Sequence, residues 1–434
     1  MSTFWQTLPQ PIVALAPMDG VSDAPFRQVQ AKIGRPDIVF TEFTNVEGLW
    51  RGDLRLLDAF LYDDAERPVV AQLFGTTPQD FYRAAVMVCE LGFDGVDINM
   101  GCPSKCVAGK GGGAGLIRTP LLAQEIVRAT RQGVEDWANG QTLEGIGLAP
   151  ERIARIHQMN QARRAPIIRR RLPVSVKTRL GYDSIIIEDW IKVLLEVEPV
   201  AISLHGRTLR QMYKGAANWE AIGRAAEIVR QTSTLLLGNG DIHSAADARR
   251  RLRETGVHGV LVGRASMGNP WLFRELRAMR AELATPASPR PSPTGLEREW
   301  GGEVKQPDSA SLQPTGVGGR LTAQERLQTA LHHARLFTAL LPNHRFVELR
   351  KHLSWYCRDF SDAAALRRQL VQANSLQELE RMLASSNLVR ACSEGEREAA
   401  LSASPSWQGA QMLRADAQAN PTNALPLKAS MQYT

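Results

Sequence analysis

The sequence has few cysteines, no long apolar run and no nucleotide-loop signature, and each of these lacks excludes something. Cys89, Cys102, Cys106, Cys357 and Cys392 are the only cysteines in 434 residues. So sparse and odd a set excludes a disulfide framework and fits a reducing compartment. No stretch reaches the roughly 18 unbroken apolar residues of a spanning helix. Residues 1–10 lack the charged start and apolar run of a secretory leader, so a soluble, cytoplasmic chain without membrane attachment is expected. Metal-site spacing is missing as well: Cys102 and Cys106 make a Cys-x3-Cys pair with no second pair to complete a zinc site, and no metal is expected. The triplet Gly111-Gly112-Gly113 neither follows a strand directly nor has the spacing of a Walker or dinucleotide loop. It reads either as the hinge of a mobile lid beside Cys102 or as a plain glycine-rich surface loop. Cys89 lies in an apolar, helix-like stretch and is expected to be buried, while Cys357 and Cys392 carry no readable signal.

What the chain does have is a rhythm. Apolar runs at 12–16, 38–40, 69–74, 95–98, 174–176, 201–204, 235–237 and 260–262 are rich in Val, Ile and Leu without clean alternation, as strands buried on both faces of a parallel sheet read. Helix-like stretches lie between them, for example at 78–91, 120–132, 189–196 and 245–254. Polar or reactive residues follow nearly every run: Pro17-Met18-Asp19, Thr41-Glu42, Gln72, Asn99 to Cys102, Lys177-Thr178-Arg179, His205-Gly206-Arg207, Gly238 to Asp241 and Gly263-Arg264. An open sheet would gather such groups at one switch point. Spread over eight strand ends, they describe the rim of a (β/α)8 TIM barrel over residues 11–281.

An insertion is expected at about 133–171, carrying Arg163-Arg164 and Arg169-Arg170-Arg171. It is either a solvated surface loop or a basic loop that touches RNA. Residues 282–320, rich in Pro, Ser and Gly, read as a flexible linker. Residues 321–392 read as a small all-α helical bundle opened by a Thr322/Glu325 capping box, and 393–434 as a disordered tail. A net charge of +7 makes an anionic partner plausible without identifying it.

The chemistry sits on the rim. Loops after strands 7 and 8 of such barrels often hold phosphate through backbone N–H groups. Here they are Gly238-Asn239-Gly240-Asp241 and Gly263-Arg264, where glycine permits close approach and Arg264 adds charge. Gln72 offers an amide donor and acceptor. Gln72 and His205 either meet a planar ring or only satisfy loop backbone. Lys177 at a barrel mouth needs an anion or water. Cys102, in Asn99-Met100-Gly101-Cys102-Pro103-Ser104, is expected to be exposed on a flexible loop and able to exchange a proton near an ordinary thiol pKa of about 8.5.

These residues, in this order, resemble the tRNA-dihydrouridine synthase family. The matching stretches are Ala16-Pro17-Met18-Asp19-Gly20-Val21-Ser22-Asp23, Thr41-Glu42, Gln72-Leu73-Phe74-Gly75, Asp97-Ile98-Asn99-Met100-Gly101-Cys102-Pro103, Val176-Lys177-Thr178-Arg179-Leu180-Gly181, His205-Gly206-Arg207-Thr208, Gly238-Asn239-Gly240-Asp241 and Gly263-Arg264. The likeness spans about 14–273 and resumes at Arg350-Lys351-His352-Leu353-Ser354-Trp355-Tyr356. It implies non-covalent FMN at the barrel mouth, with NADPH as reductant. Pro17, Met18 and Asp19 would line the flavin through their backbone, and Gln72, Lys177 and His205 would contact ring or ribityl chain. Asn239, Gly240, Asp241, Gly263 and Arg264 would hold the phosphate.

Asn99 and Arg179 would face the substrate uracil, extruded from its stack. Hydride would go to C6, Lys177 or Arg179 would balance the enolate charge, and Cys102 would protonate C5. The resemblance thus implies an oxidoreductase acting on CH–CH bonds with NAD(P), working on tRNA as a monomer, with the helical unit helping to grip the tRNA. The family's subtypes reduce different uridines, and these motifs do not choose between them. A flavin barrel of the dihydroorotate dehydrogenase type and a non-catalytic RNA-binding barrel are the rival readings.

Overall fold

The computed structural model describes residues 3–161, 163, 166–284 and 321–385. Every one of the eight apolar runs is a strand: β1 (Ile12–Leu15), β2 (Ile38–Phe40), β3 (Val69–Phe74), β4 (Gly95–Met100), β5 (Val174–Arg179), β6 (Ala201–His205), β7 (Leu235–Asn239) and β8 (Gly259–Val262). All pair in parallel with their sequence neighbours, and β1 closes on β8 from Ile12↔Gly259 to Leu15↔Val262. The result is a closed (β/α)8 barrel. A two-residue strand, Thr44–Asn45, extends pairing at the C-terminal end of β3.

Alternation of side chains along the strands divides the core into two. Val96, Ile98, Met100, Val174, Val176, Ile202 and Leu204 face outward, into the layer between strands and helices. The opposite face fills the lumen. Near the strand starts it is apolar, with Ile12, Ala14, Val70, Ala201, Leu237 and Leu261 in one cluster with Trp5. Nearer the strand ends the same inward positions are polar: Gln72, Asp97, Asn99, Ser175, Lys177, Arg179, Ser203 and His205. Alternation was hidden in the sequence because both faces are buried, and its lower half is apolar on both sides.

Proline occupies the first position of the helices Pro78–Glu90 and Pro120–Ala138, where its missing N–H costs nothing. The second helix runs straight through Gly133. A side chain there would collide with the Tyr82 carbonyl of the neighbouring helix, so this glycine serves close packing and does not end the helix. The expected insertion therefore begins after Ala138, and it holds a helix, Pro150–Gln161, as well as loop. Its described arginines are tied to the barrel. Arg152 donates to the Leu49 and Gly52 carbonyls. Arg155 pairs with Asp58, Arg170 with Asp94 and Arg171 with Glu135, and Arg163 lies 4.1 Å over the Tyr62 ring. These bonds tie the insertion to the barrel, while Arg170 and Arg171 stay half exposed.

The helix Leu272–Ala284 continues past the expected start of the linker at 282. The rest of that linker, residues 386–392 with the tail beyond, and with them Cys392, lie outside the described residues. From Thr322 the chain is helical again. Thr322 Oγ1 accepts from the Glu325 N–H while Glu325 accepts from the Thr322 N–H, a complete capping box. Leu327, Leu331, Leu336, Leu340, Leu349, Leu353, Leu366 and Leu370 pack into one core, which also takes in Ala24 and Val29 from the first barrel helix, Ala24–Val29. Phe26 of that helix meets His333 and His352 at ring distances of 6.1 and 5.8 Å. Among the described residues no helix is long and apolar enough to cross a membrane.

The tightest point of this docking is Gly268, whose φ of +61° favours glycine and whose missing side chain makes room for the Trp355 backbone. Gly268→Ala is expected to cost about 1–3 kcal/mol through strain and overpacking, read as a lower urea midpoint. An unchanged midpoint would mean that this loop and Trp355 do not touch in solution.

Candidate active site

Pairing register brings the polar lumen residues into rows. Gln72 pairs with Asp97, Asn99 with Lys177, Arg179 with His205, and His205 with Asn239. Neighbours in a parallel ladder point to the same side, so a row of polar strand ends becomes a ring without any long-range search.

Cys102 leaves β4 in a tightly held turn. The Asn99 side-chain oxygen accepts from the Gly101 N–H at 2.9 Å and from the Cys102 N–H at 2.8 Å. Arg179 Nε donates to the Gly101 carbonyl at 2.6 Å, and the Ala114 N–H donates to the Cys102 carbonyl at 3.2 Å. Gly113, at φ +54°, packs directly on Cys102, where an added Cβ would lie 3.0 Å from the Cys102 Cβ. The expectation of an exposed cysteine on a flexible loop is therefore corrected: Cys102 is only 8% exposed. Gly112 and Gly113 are buried beside it, which removes the plain surface-loop reading of the triplet. Burial pushes the Cys102 thiol up, outweighing the Ser104 backbone N–H and the charges of Arg179 and Lys177. The group keeps its proton at neutral pH.

Four cations surround the centre of the mouth. His205 is held well below its ordinary pKa, first by burial and then by Arg179, Lys177, Arg207 and Arg264. Lys177 is pushed down to about 8, by burial and then by Arg179. Neither hydrogen bond nor ion pair ties its ammonium to a described residue. Arg179, by contrast, is largely engaged, since its Nη1 also donates to the Thr208 and Met212 carbonyls. Asn99 is engaged at both ends, because its Nδ2 donates to Gln72 Oε1 at 2.9 Å. These two residues, expected to face a substrate, hold the Cys102 turn in place.

On the opposite side of the ring, Asn239 Nδ2 donates to the Leu261 carbonyl. Gly240 takes φ +125°, and a side chain there would strike Ala217. Asp241 takes Arg207 at 2.7 Å, Arg264 at 3.2 Å and the Ala217 N–H at 2.7 Å. Its carboxylate orients those two arginines; it would repel an anion placed against it. Gly263 precedes the turn Arg264–Ser266, whose first N–H groups have no partner inside the turn. Met18 lies beside Gly263, and the Met18 N–H is fixed by Ser22 Oγ at 2.8 Å. Pro17 is half-buried and Asp19 exposed on the same loop.

Four further groups at this mouth have no role assigned from the sequence: Arg207, Asp23, Glu42 and Lys351. Arg207 is buried and braces the Asp241 loop; its position in His205-Gly206-Arg207 was the available signal. Burial pushes Asp23 up to about 6 and Glu42 up to about 8, so Glu42 is neutral at pH 7. Lys351, from the helical unit, acts on Asp19, Asp23 and Glu42 together, a contact that no spacing in the sequence could reveal.

The family model described as "Dihydrouridine synthase (Dus)" matches residues 14–142 and 150–393. A "Probable tRNA-dihydrouridine synthase 2" of Bacillus subtilis is 35% identical over 277 residues, covering 63% of this chain and 74% of that protein. A "Probable tRNA-dihydrouridine synthase" of Staphylococcus epidermidis is 36% identical over 278 residues, covering 63% and 74%. Among solved structures, morphinone reductase in complex with tetrahydroNAD aligns with a TM-score of 0.37 at 14% identity, covering 61% of this chain and 86% of that one.

The depressed Lys177 pKa has a measurable consequence. While the unfolded chain holds this proton and the folded one does not, between about pH 8 and 10.5, stability rises with pH. Flavin-free Lys177→Met is expected to be more stable than the wild type at pH 7, by up to about 3 kcal/mol. That gap should close as pH climbs through the window. Urea unfolding at a series of pH values checks this, and a gap independent of pH would contradict the burial of a charged Lys177.

Proposed function

The chain belongs to the dihydrouridine synthase family, and we propose from that premise that it reduces the C5–C6 double bond of uridines in tRNA to 5,6-dihydrouridine, using FMN and with Cys102 as the proton donor. The observation that carries this reading is the company of Cys102. Its thiol feels Lys177 and Arg179, and Lys177, Arg179 and Arg264 all act on His205, so thiol and cations share one rim.

The rim suits FMN by its charge. Burial first, and then neighbouring positive charge, hold His205 and Lys177 below their ordinary pKa, and an anionic group with a phosphate relieves the positive surplus. Arg264, half-exposed and steered by Asp241, would hold the phosphate with the N–H groups of Gly240, Asp241, Gly263 and the turn behind it. Asn239 and Gly240 shape that cradle. Pro17, Met18 and Asp19 would line the ring through their backbone, and Gln72, Lys177 and His205 would meet the ring or the ribityl chain. When bound, FMN supplies the hydride that goes to C6 of the uracil.

This chain's own residues do the rest. The target uridine leaves its stack to enter the mouth. Asn99 and Arg179 fix the turn that presents Cys102 and border the uracil on that side. Negative charge that develops on the uracil carbonyl meets Lys177, which is the less engaged of the two cations. Cys102 gives its proton to C5, a transfer favoured by a thiol that burial keeps protonated. NADPH as reductant, a cytoplasmic monomer and a helical unit that grips tRNA complete the proposal. The free Cys89, Cys102, Cys106 and Cys357 agree with a reducing compartment. The named activity of the relatives favours tRNA over dihydroorotate, and the buried, proton-bearing Cys102 argues against a barrel that only binds RNA.

Cys102→Ala is expected to keep FMN and tRNA affinity while turnover on unmodified tRNA falls by about 100-fold or more; turnover at the wild-type rate would remove the thiol from the reaction. Arg264→Ala is expected to lower the flavin content of the purified protein, and an unchanged content would take Arg264 out of the phosphate cradle.

A further inference from the structure

One buried carboxylate has no part in the chemistry above. Asp97 sits on β4, two residues below Asn99 and therefore one layer deeper in the lumen, fully buried. Asp97 Oδ1 accepts from Ser175 Oγ at 2.6 Å, and Oδ2 accepts from Gln72 Nε2 at 2.6 Å. Gln72 Oε1 accepts from Asn99 Nδ2, whose Oδ1 holds the N–H groups of Gly101 and Cys102. The direction of every bond in this line is fixed from its upper end. Two backbone N–H groups can only donate, so Asn99 must turn its oxygen to them and its nitrogen to Gln72. Gln72 must then turn its oxygen to Asn99 and its nitrogen downward, where only an acceptor will serve. Asp97 is that acceptor, and Ser175 holds its other oxygen.

Stability alone does not call for a carboxylate here. Burying one is costly, and an apolar side chain of similar size packs as well or better. A fully satisfied polar line does set one geometry where an apolar core would leave the amides free to rotate.

We propose that Asp97 is a positioning residue for Cys102, acting through the amides of Gln72 and Asn99. This rests on the reading of Cys102 as the proton donor. Loss of Asp97 frees the Gln72 amide to rotate, then that of Asn99, and the turn presenting the thiol loosens. A displacement of about 1 Å at the reacting group slows a reaction by about 100-fold.

The test uses the holoenzyme in a Cys106→Ser background and compares Asp97→Ala, Asp97→Asn and Ser175→Ala. Two readouts are taken: reoxidation of dithionite-reduced enzyme by unmodified tRNA, and alkylation of Cys102 by iodoacetamide, mapped by peptide mass. Asp97→Ala is expected to slow reoxidation at saturating tRNA by about 100-fold, with the tRNA concentration dependence unchanged. Cys102 should be alkylated faster while buried Cys89 is not, which separates a loosened turn from general unfolding. Asp97→Asn keeps an acceptor toward Gln72 and should restore both readouts most of the way. Ser175→Ala, the milder change, should move both in the direction of Asp97→Ala and decides the matter if that variant does not fold. Wild-type values of both readouts in Asp97→Ala, or in Ser175→Ala should it alone fold, overturn the proposal. So does an Asp97→Asn as damaged as Asp97→Ala. If instead Cys102→Ala reoxidised at the wild-type rate, the proton-donor reading would fall, while the alkylation comparison would still judge the positioning by Asp97.

Discussion

Everything at the mouth of this barrel depends on the side-chain period of two in a parallel strand. Asp97 and Asn99, Ser175, Lys177 and Arg179, and Ser203 and His205 occupy alternate positions on adjacent strands, and the register places them on the lumen side. Shift one strand by a residue and its polar set would turn into the apolar layer beneath the helices. The outward partners Val96, Ile98, Val176, Ile202 and Leu204 lock the register by burial. The site is thus held by the same alternation that holds the fold.

That constraint brings like charges together. Lys177, Arg179, Arg207 and Arg264 share a small rim with His205, and the chain spends buried groups to keep them there. Asp241 takes Arg207 and Arg264, while backbone carbonyls of Gly101, Thr208 and Met212 take Arg179. Lys177 is left with a lowered pKa and, among the described residues, no hydrogen-bond or ion-pair partner for its ammonium. Cys102 is treated in the opposite way: burial keeps its proton on, and the turn around it is bonded on both flanks.

Much of this was legible in the sequence. The eight apolar runs located the eight strands, and the reactive residue after each located the rim, because a parallel barrel puts every strand end on one face. The leucine spacing and the Thr322/Glu325 pair located the helical unit. What was not legible is what depends on tertiary contact. Gly133 reads as a helix end, yet it lets the helices Pro78–Glu90 and Pro120–Ala138 approach. Cys102 reads as exposed on a flexible loop, but Gly113, with no side chain and a φ of +54°, packs directly against it. Asn99 and Arg179 also hold the Cys102 turn through their hydrogen bonds, a second task that no spacing announces. Lys351 enters the mouth from more than 300 residues away along the chain, and no local pattern announces it.

On the proposed reading, the thiol and the cationic rim serve one reduced flavin and one uracil. Anaerobic mixing of the flavin-reduced enzyme with unmodified tRNA measures this directly, with oxidised-flavin absorbance followed against dihydrouridine in the same RNA. One dihydrouridine is expected for each flavin reoxidised. Flavin that stays reduced in the presence of tRNA, or is reoxidised without dihydrouridine appearing, would contradict it.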